Sequence, residues 1–161
     1  MKIVVAADHA GLPLKEPLIK ELRERGHEVE DLGAYECDVD DDYPDYAVKV
    51  GEAIRSGRAE RGIVFCGSGV GVCVAINKFP GVRAAICHDT YSATQGVEHD
   101  DMNVLCVGGR IIGAALARAV VLAFADARFS GEERHVRRLE KVRAIEQRFL
   151  RDDATEPGPR A

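Results

Sequence analysis

The sequence predicts an α/β protein in which helices cover both faces of a five-stranded parallel sheet. Two observations carry this prediction: short apolar runs alternate with amphipathic segments five times, and the connections between them are short. A chain of 161 residues is long enough for one domain with a substantial core. We expect residues 1–150 to form that domain and the polar residues 151–161 to be a disordered tail.

Five apolar runs are the predicted strands, and the second is polar enough to suit an edge position. In chain order they cover residues 2–7, 27–32, 63–65, 82–87 and 104–107. The remaining segments have apolar residues at helical spacing or a helix cap such as Asp89. The predicted helices start near Pro13, cover residues 46–56 and 72–78, follow Asp89, and cover residues 112–124 and 132–150.

Composition and charge exclude several classes of protein. The net charge of −5 argues against a nucleic-acid surface, which would be basic. Five cysteines, an odd number found mostly within apolar runs, suit a reducing cytoplasm rather than a disulfide framework. The apolar run at residues 3–7 is too short for a signal peptide or a membrane span. We therefore expect a cytoplasmic protein with no membrane partner.

The segment Cys66-Gly67-Ser68-Gly69-Val70-Gly71 follows the third strand and leads into a helix. A glycine-rich turn between a strand and a helix exposes backbone N–H groups to an anion, and the helix N-terminus adds partial positive charge. A cysteine beside such an anion site is expected to have a lowered pKa and to act as a nucleophile or a base.

Two of three named motifs fail at this turn, and the third, the dinucleotide fingerprint, matches it only in part. The dinucleotide fingerprint would need a third glycine at Val74, although Asp89 follows at a suitable distance for a ribose ligand. The hydrolase motif G-x-S-x-G fails at Cys66 and Val70, and no Walker A lysine is present. The turn therefore predicts an oxyanion or phosphate site, and the structural alternative is a tight turn that serves packing alone.

Parallel sheets bind ligands at the carboxyl ends of their strands, and several polar residues follow the predicted strands. These residues are Asp8, His9, those of segment 66–71, His88, Asp89 and Arg110. His99 and Asp100 precede the fifth strand, so we expect them at the far edge, where they reach an active site only through a second subunit. Arg134 and Arg138 lie four residues apart on one helical face and could clamp a phosphate, although ordinary charged residues surround them.

Five motifs occur in an order that resembles the type B ribose-5-phosphate isomerase family, which includes galactose-6-phosphate isomerase. They are Asp8-His9-Ala10-Gly11, Asp42-Tyr43-Pro44, segment 66–71 with Ala75-Ile76-Asn77-Lys78, Gly81-Val82-Arg83-Ala84, and Arg134-His135-Val136-Arg137-Arg138. The resemblance covers residues 1–147. It implies a Rossmann-like sandwich, aldose–ketose isomerisation without metal or cofactor, and a homodimer, or a tetramer of paired dimers, with active sites at the subunit interface.

The resemblance also implies roles for individual residues. Cys66 would be the base that moves a proton between C1 and C2, with Ser68 positioning the reacting end. The N–H groups of Gly67, Gly69 and Gly71 would hold the enediolate. His99 would open the sugar ring, Asp8 would lie beside the ring hydroxyls, and Tyr43 would line the pocket. The phosphate would be bound by His9, Arg134, Arg138, and Arg110 of the partner chain.

This chain departs from the family pattern at two positions. Some relatives use a glutamate shortly after the glycines, where this chain has Val72, so Cys66 is the better candidate base. Asp100 replaces a common asparagine and would oppose substrate charge unless a cation pairs with it.

Ribose 5-phosphate is the expected substrate, with allose, galactose, ribulose or tetrose phosphates as alternatives. A non-catalytic nucleotide- or phosphate-binding module is the other alternative, and it would tolerate alanine at Cys66.

Overall fold

The computed structural model describes residues 1–149, and these form a five-stranded parallel sheet with six helices. The strands are β1 (Lys2–Ala7), β2 (Glu28–Asp31), β3 (Arg61–Cys66), β4 (Ala84–Ile86) and β5 (Val104–Gly108). Their order is β2-β1-β3-β5-β4, and every pairing is parallel. The predicted fold class is confirmed, and β2 lies at an edge as its polar sequence indicated.

The helices form the two outer layers of the sandwich. They are α1 (Leu12–Glu24), α2 (Tyr43–Arg55), α3 (Val70–Ile76), α4 (Thr90–Asp100), α5 (Ala114–Asp126) and α6 (Glu133–Phe149). Side chains alternate along the strands, so Ile63 and Phe65 pack towards α1, α4 and α5, whereas Val64 and Cys66 pack towards α2 and α3. Each face of the sheet is therefore buried, and Cys66 belongs to the α2–α3 side.

Several element boundaries differ from the predicted ones for local reasons. Helix α2 begins at Tyr43 rather than at residue 46, because Pro44 is accommodated in its first turn after Asp42. Strand β4 begins at Ala84 rather than at residue 82, because the Val82 N–H donates to the Phe79 carbonyl in a turn. The predicted end of the last helix at residue 150 and the predicted disordered tail lie outside the described residues.

The register of the sheet sets which residues meet at its carboxyl edge. Ala7 pairs with Phe65, and Cys66 pairs with Gly108, so the segments that follow β1, β3 and β5 lie side by side. The opposite edge of the same strand pair is formed by Gly62 and Val104. The two edges are four residue steps apart, or about 13 Å at the usual rise of a strand. Within residues 1–149, no helix is long and apolar enough to cross a membrane.

Candidate active site

Cys66 ends β3 with only 8% of its surface exposed, at the point where the glycine-rich turn begins. The groups that act on the pKa of its thiol include the Asp8 carboxylate and the backbone N–H groups of Ser68 and Gly69. Burial raises the pKa of Cys66 most, Asp8 raises it further, and the two N–H groups oppose these effects without reversing them. The expectation of a lowered pKa is therefore wrong for the isolated chain, since the sequence did not indicate the buried carboxylate beside the thiol.

The turn after Cys66 has the geometry that its glycines indicated. Gly69 adopts a left-handed conformation, with φ of 82°, and precedes the first residue of α3. The hydroxyl of exposed Ser68 accepts a hydrogen bond from the Val70 N–H at 3.2 Å. A Cβ added at Gly71 would lie 2.8 Å from Cζ of Tyr43, so the absence of a side chain lets the tyrosine ring cover the turn.

Asp8 is almost fully buried directly after β1, with 4% of its surface exposed. Its Oδ1 accepts hydrogen bonds from the N–H groups of Ala10 and Gly11, at 2.9 Å and 3.0 Å. These bonds hold the carboxylate at the start of α1 and beside Cys66. Asp8 is thus placed to orient a ligand hydroxyl or to exchange a proton with the thiol.

His9 is paired with Asp41, an acidic residue with no predicted role. Its ring Nδ1 lies 2.6 Å from Oδ1 of Asp41, and its backbone N–H donates to Oδ2 of the same carboxylate at 2.9 Å. Burial, and after it the nearby Asp41 carboxylate, raises the pKa of the Tyr46 phenol to about 12. Asp41 lies among four other acidic residues in segment 36–42, so no sequence signal distinguished it from its neighbours.

Arg110 lies beside the glycine-rich turn of its own chain. Its backbone N–H donates to the Gly67 carbonyl at 3.0 Å, and its side chain would be 3.6 Å from a Cβ at Gly67. The tight turn after β5 brings this arginine to the carboxyl edge of its own chain, whereas the family resemblance assigned it to the phosphate site of a partner chain. Asp8, His9, Cys66 and Arg110 therefore meet within one chain.

The other predicted residues lie at the opposite edge of the sheet, as expected. His99 and Asp100 end α4, just before β5 begins. Helix α6 packs against α4 and carries the exposed side chains of Arg134 and Arg138. The two halves of the predicted site are thus separated by the length of the strands, well beyond hydrogen-bond reach.

Asp100 has no cation paired with it among residues 1–149. The nearby Arg83 donates from Nη2 to Oδ2 of Asp101 at 2.6 Å, and Arg143 lies 4.0 Å from the same carboxylate. Arg110, the other candidate partner, lies at the carboxyl edge. Among these residues the Asp100 carboxylate is therefore unpaired, which is the condition under which it was predicted to oppose an anionic substrate.

Three further observations concern other candidate binding sites. Asp89, the candidate ribose ligand of a dinucleotide site, caps α4 by accepting a hydrogen bond from the Ser92 N–H at 2.7 Å. Within the described chain, no cluster of three or more potential metal ligands occurs. A cavity of about 980 Å³ lies beside α1, but its buried Lys15 is already satisfied by Asp31 and the Ala34 carbonyl. That cavity contains none of the predicted site residues.

Comparison with known proteins agrees with the resemblance found in the sequence. Residues 3–142 match the Ribose/Galactose Isomerase family. Ribose-5-phosphate isomerase B of Escherichia coli is 44% identical over 147 residues, which cover 91% of this chain and 97% of that protein. D-erythrulose-4-phosphate isomerase of Pectobacterium atrosepticum is 38% identical, over 81% of this chain and 86% of that protein.

Solved structures give the same result. The structure of Clostridium thermocellum ribose-5-phosphate isomerase B matches with a TM-score of 0.88 and 43% identity, over 92% of this chain and 99% of that one. The predictions of family, fold and isomerase activity are therefore confirmed. The chain belongs to the Ribose/Galactose Isomerase family and is a sugar-phosphate isomerase.

Proposed function

We propose that this chain interconverts ribose 5-phosphate and ribulose 5-phosphate through an enediolate, with Cys66 as the base. The observation that carries the proposal is the position of Cys66 at the end of β3, where the glycine-rich turn begins and the buried Asp8 carboxylate and two backbone N–H groups act on the pKa of its thiol. A thiol held between a proton acceptor and hydrogen-bond donors can lose and regain a proton in place. The reaction requires nothing more of it, so no metal or cofactor enters the proposed mechanism.

The chemistry moves one proton between adjacent carbons. Cys66 takes the proton from C2 of the open-chain aldose, the carbonyl electrons move to O1, and an enediolate forms. The same proton, or one from solvent, returns to C1, and the O2 hydroxyl passes its proton to O1 as O2 becomes the ketone oxygen. Gly71 lies in the first turn of α3, where backbone N–H groups have no carbonyl partner within the helix. Such N–H groups stabilise the developing negative charge on the enediolate oxygens.

The phosphate is proposed to lie among His9, Arg110, Arg134 and Arg138, the last two from a second subunit. His9 and Arg110 lie at the carboxyl edge with Cys66, which supports their binding of one substrate. Arg134 and Arg138 are exposed and one helical turn apart, which suits bidentate contacts to phosphate oxygens. His99 of the second subunit would protonate the ring oxygen and so open the cyclic sugar.

A homodimer with shared active sites is the assembly that this proposal requires. The separation of Cys66 from His99 by about 13 Å of strand supports it, because one chain alone cannot bring both to a sugar. Exposed apolar residues support it further, since Val70 and Val74 on α3 and Val142 and Ile145 on α6 are each at least half exposed. We place the enzyme in the cytoplasm and assign residues 1–150 to one domain.

A tetrose phosphate is the second candidate substrate. Unpaired Asp100 adds negative charge to the half of the site that contains His99. A tetrose phosphate is one carbon shorter than a pentose phosphate, so the distances from its phosphate and hydroxyls to the Asp100 carboxylate would differ from those of the pentose. The match to a D-erythrulose-4-phosphate isomerase supports the same alternative.

The test is a panel of aldose and ketose phosphates followed by NMR, with the wild-type chain, Cys66→Ala, Asp100→Asn and Cys37→Ala. Cys37 is an exposed thiol and serves as the control for thiol loss in general. We expect ribose and ribulose 5-phosphates to interconvert, and Cys66→Ala alone to abolish turnover. Turnover of tetrose phosphates only, shifted towards pentoses by Asp100→Asn, would favour the second candidate. Binding without turnover of any sugar phosphate would contradict the isomerase proposal.

A further inference from the structure

His135 is a buried histidine with no role in the mechanism above. It lies in the first turn of α6, and only 1% of its surface is exposed. Its imidazole stacks on that of His99, with ring centroids 4.0 Å apart and an interplanar angle of 28°. The proposed ring-opening residue therefore rests on a second aromatic ring that solvent does not reach.

Ser130 connects the two helices that carry these histidines. Its hydroxyl oxygen lies 2.6 Å from Nδ1 of His135, and its backbone N–H donates to the Glu98 carbonyl at 3.0 Å. The Glu132 N–H also donates to this hydroxyl, at 3.3 Å. One residue thus ties the His135 ring to the last turn of α4, immediately before His99.

The aromatic ring that His99 contacts is the imidazole of His135. Within residues 1–149, no hydrogen bond is formed by the His99 imidazole, so the plane of the ring is set by packing on His135. The Nε2 atom of His135 is also buried and lacks a hydrogen-bond partner among the described residues. Burying a polar nitrogen in this way is unfavourable, so the histidine is not explained as a simple core residue.

We propose that His135 is a positioning residue that fixes the orientation of the His99 imidazole for opening the sugar ring. The inference rests on the proposed function, because it assigns a partner to one of its residues. In ring opening, the bond between C1 and the ring oxygen breaks, the ring oxygen gains a proton, and the C1 hydroxyl loses one. The protons balance, so the reaction requires only an acid–base group aligned with the ring oxygen. An imidazole that is already fixed in place meets this requirement without the entropic cost of ordering its side chain at each turnover.

The charge state of His135 is consistent with this role. Burial lowers its pKa most, and His99, Arg134 and Arg138 lower it further, whereas Glu132 raises it. A neutral ring beneath His99 does not repel the proton that His99 must carry.

An acyclic substrate distinguishes a misplaced His99 from damage to the rest of the site, because it reacts without ring opening. Ribulose 5-phosphate is esterified at the hydroxyl that would close its five-membered ring, so it is acyclic. In D₂O, removal and return of its C1 proton by Cys66 introduces deuterium without any ring opening. Deuterium exchange into ribulose 5-phosphate therefore reports the proton-transfer half of the site, and conversion of ribose 5-phosphate reports both halves.

The decisive variants are His135→Phe and His135→Leu, which are both apolar and similar in size but differ in whether they can stack. We expect His135→Leu to lower kcat/KM for ribose 5-phosphate by about 10- to 100-fold, the usual cost of misplacing an acid–base group. Its deuterium exchange should stay within about threefold of wild type. His135→Phe should recover most of the lost conversion, because a flat ring again supports His99.

Two controls complete the design. His27 has an unpartnered buried ring nitrogen but no stacking partner in the structure, so His27→Leu and His27→Phe should leave both rates unchanged. Ser130→Ala provides a second route to the same effect if the leucine variant fails to fold, with conversion lowered and exchange retained.

Three results would overturn the inference: equal conversion rates for the phenylalanine and leucine variants, a parallel fall of exchange and conversion, or no fall in either. A wild-type chain that catalyses neither reaction would instead contradict the proposed function itself.

Discussion

The imidazole of His9 and the carboxylate of Asp41 are joined by a contact of 2.6 Å between Nδ1 and Oδ1. The carboxylate also accepts the backbone N–H of His9, so both the ring and the main chain of this residue are fixed. Because Nδ1 faces Asp41, Nε2 is the nitrogen left to meet a ligand. Asp41 thereby orients the proposed phosphate-binding histidine.

Asp41→Asn should weaken substrate binding more than it slows the chemical step. Asparagine has one acceptor oxygen where Asp41 has two, so one of the two His9 N–H groups loses its acceptor. We therefore expect KM for ribose 5-phosphate to rise about tenfold while kcat changes little, in line with the loss of one hydrogen bond. Steady-state kinetics measure this split. Asp42→Asn is the matched control, because the adjacent Asp42 precedes α2 without a side-chain capping bond. Equal effects of the two variants would show that general loss of negative charge is responsible.

Alkylation of the cysteines should follow their different environments. Burial and Asp8 raise the pKa of Cys66, whereas hydrogen bonds from Cys106 and Asn77 lower the pKa of Cys73 to about 7. The thiolate is the reactive form, so iodoacetamide near pH 7 should label Cys73 before Cys66, and labelling of Cys66 should increase as the pH rises past 9. Peptide mass spectrometry measures both rates. Faster labelling of Cys66 near neutral pH would indicate that groups outside this chain lower its pKa.

Gly71→Ala should displace Tyr43 without unfolding the protein. The new Cβ would lie 2.8 Å from Cζ of Tyr43, and this ring is 42% exposed, so its tip can move towards solvent. We expect KM to rise severalfold and the melting temperature to change by no more than a surface substitution usually causes. Gly113→Ala is the control, because nothing lies within 4 Å of its added Cβ. An unchanged KM for Gly71→Ala would remove Tyr43 from the proposed site.

The free energy of unfolding should fall as the pH drops below about 6.5, because two histidines have lowered pKa values in the folded chain. Burial is the main cause for both His27 and His135. The unfolded chain binds protons at these residues before the folded chain does, so their contribution is present above the unfolded pKa and lost as the pH falls. Urea titrations at about pH 7.5 and 5.5 should show a smaller loss for a His27→Phe, His135→Phe double variant than for wild type. An identical loss would contradict this assignment.

The fold was predictable because its determinants are local. Apolar runs such as that ending at Cys66 predicted buried parallel strands, and the strand-end rule brought Asp8, Cys66 and Arg110 to one edge. The family motifs then gave the isomerase activity. The same rule placed His99 at the other edge, where α4 ends before β5.

Contacts between side chains distant in sequence were not predictable. Asp41 lies 32 residues from His9, and nothing in its acidic segment marks it as the partner. The stack of His135 on His99 depends on how α6 packs against α4, which no pattern within either helix determines. The raised pKa of Cys66 likewise follows from its burial beside Asp8, at a distance of 58 residues in the sequence.

Mixing inactive subunits tests the shared active site most directly, because the proposed mechanism requires Cys66 of one subunit and His99 of another to act on the same sugar. Cys66→Ala and His99→Ala chains are purified separately, confirmed to be inactive with ribose 5-phosphate, then mixed, partly unfolded and refolded together. A mixed dimer would contain one intact site and one site with both changes, so the mixture should recover about a quarter of wild-type activity. Cys66→Ala mixed with Asp8→Ala should recover none, since both residues come from the same edge of one chain. Recovery in the first mixture alone is the predicted result, and no recovery in either would contradict the shared site.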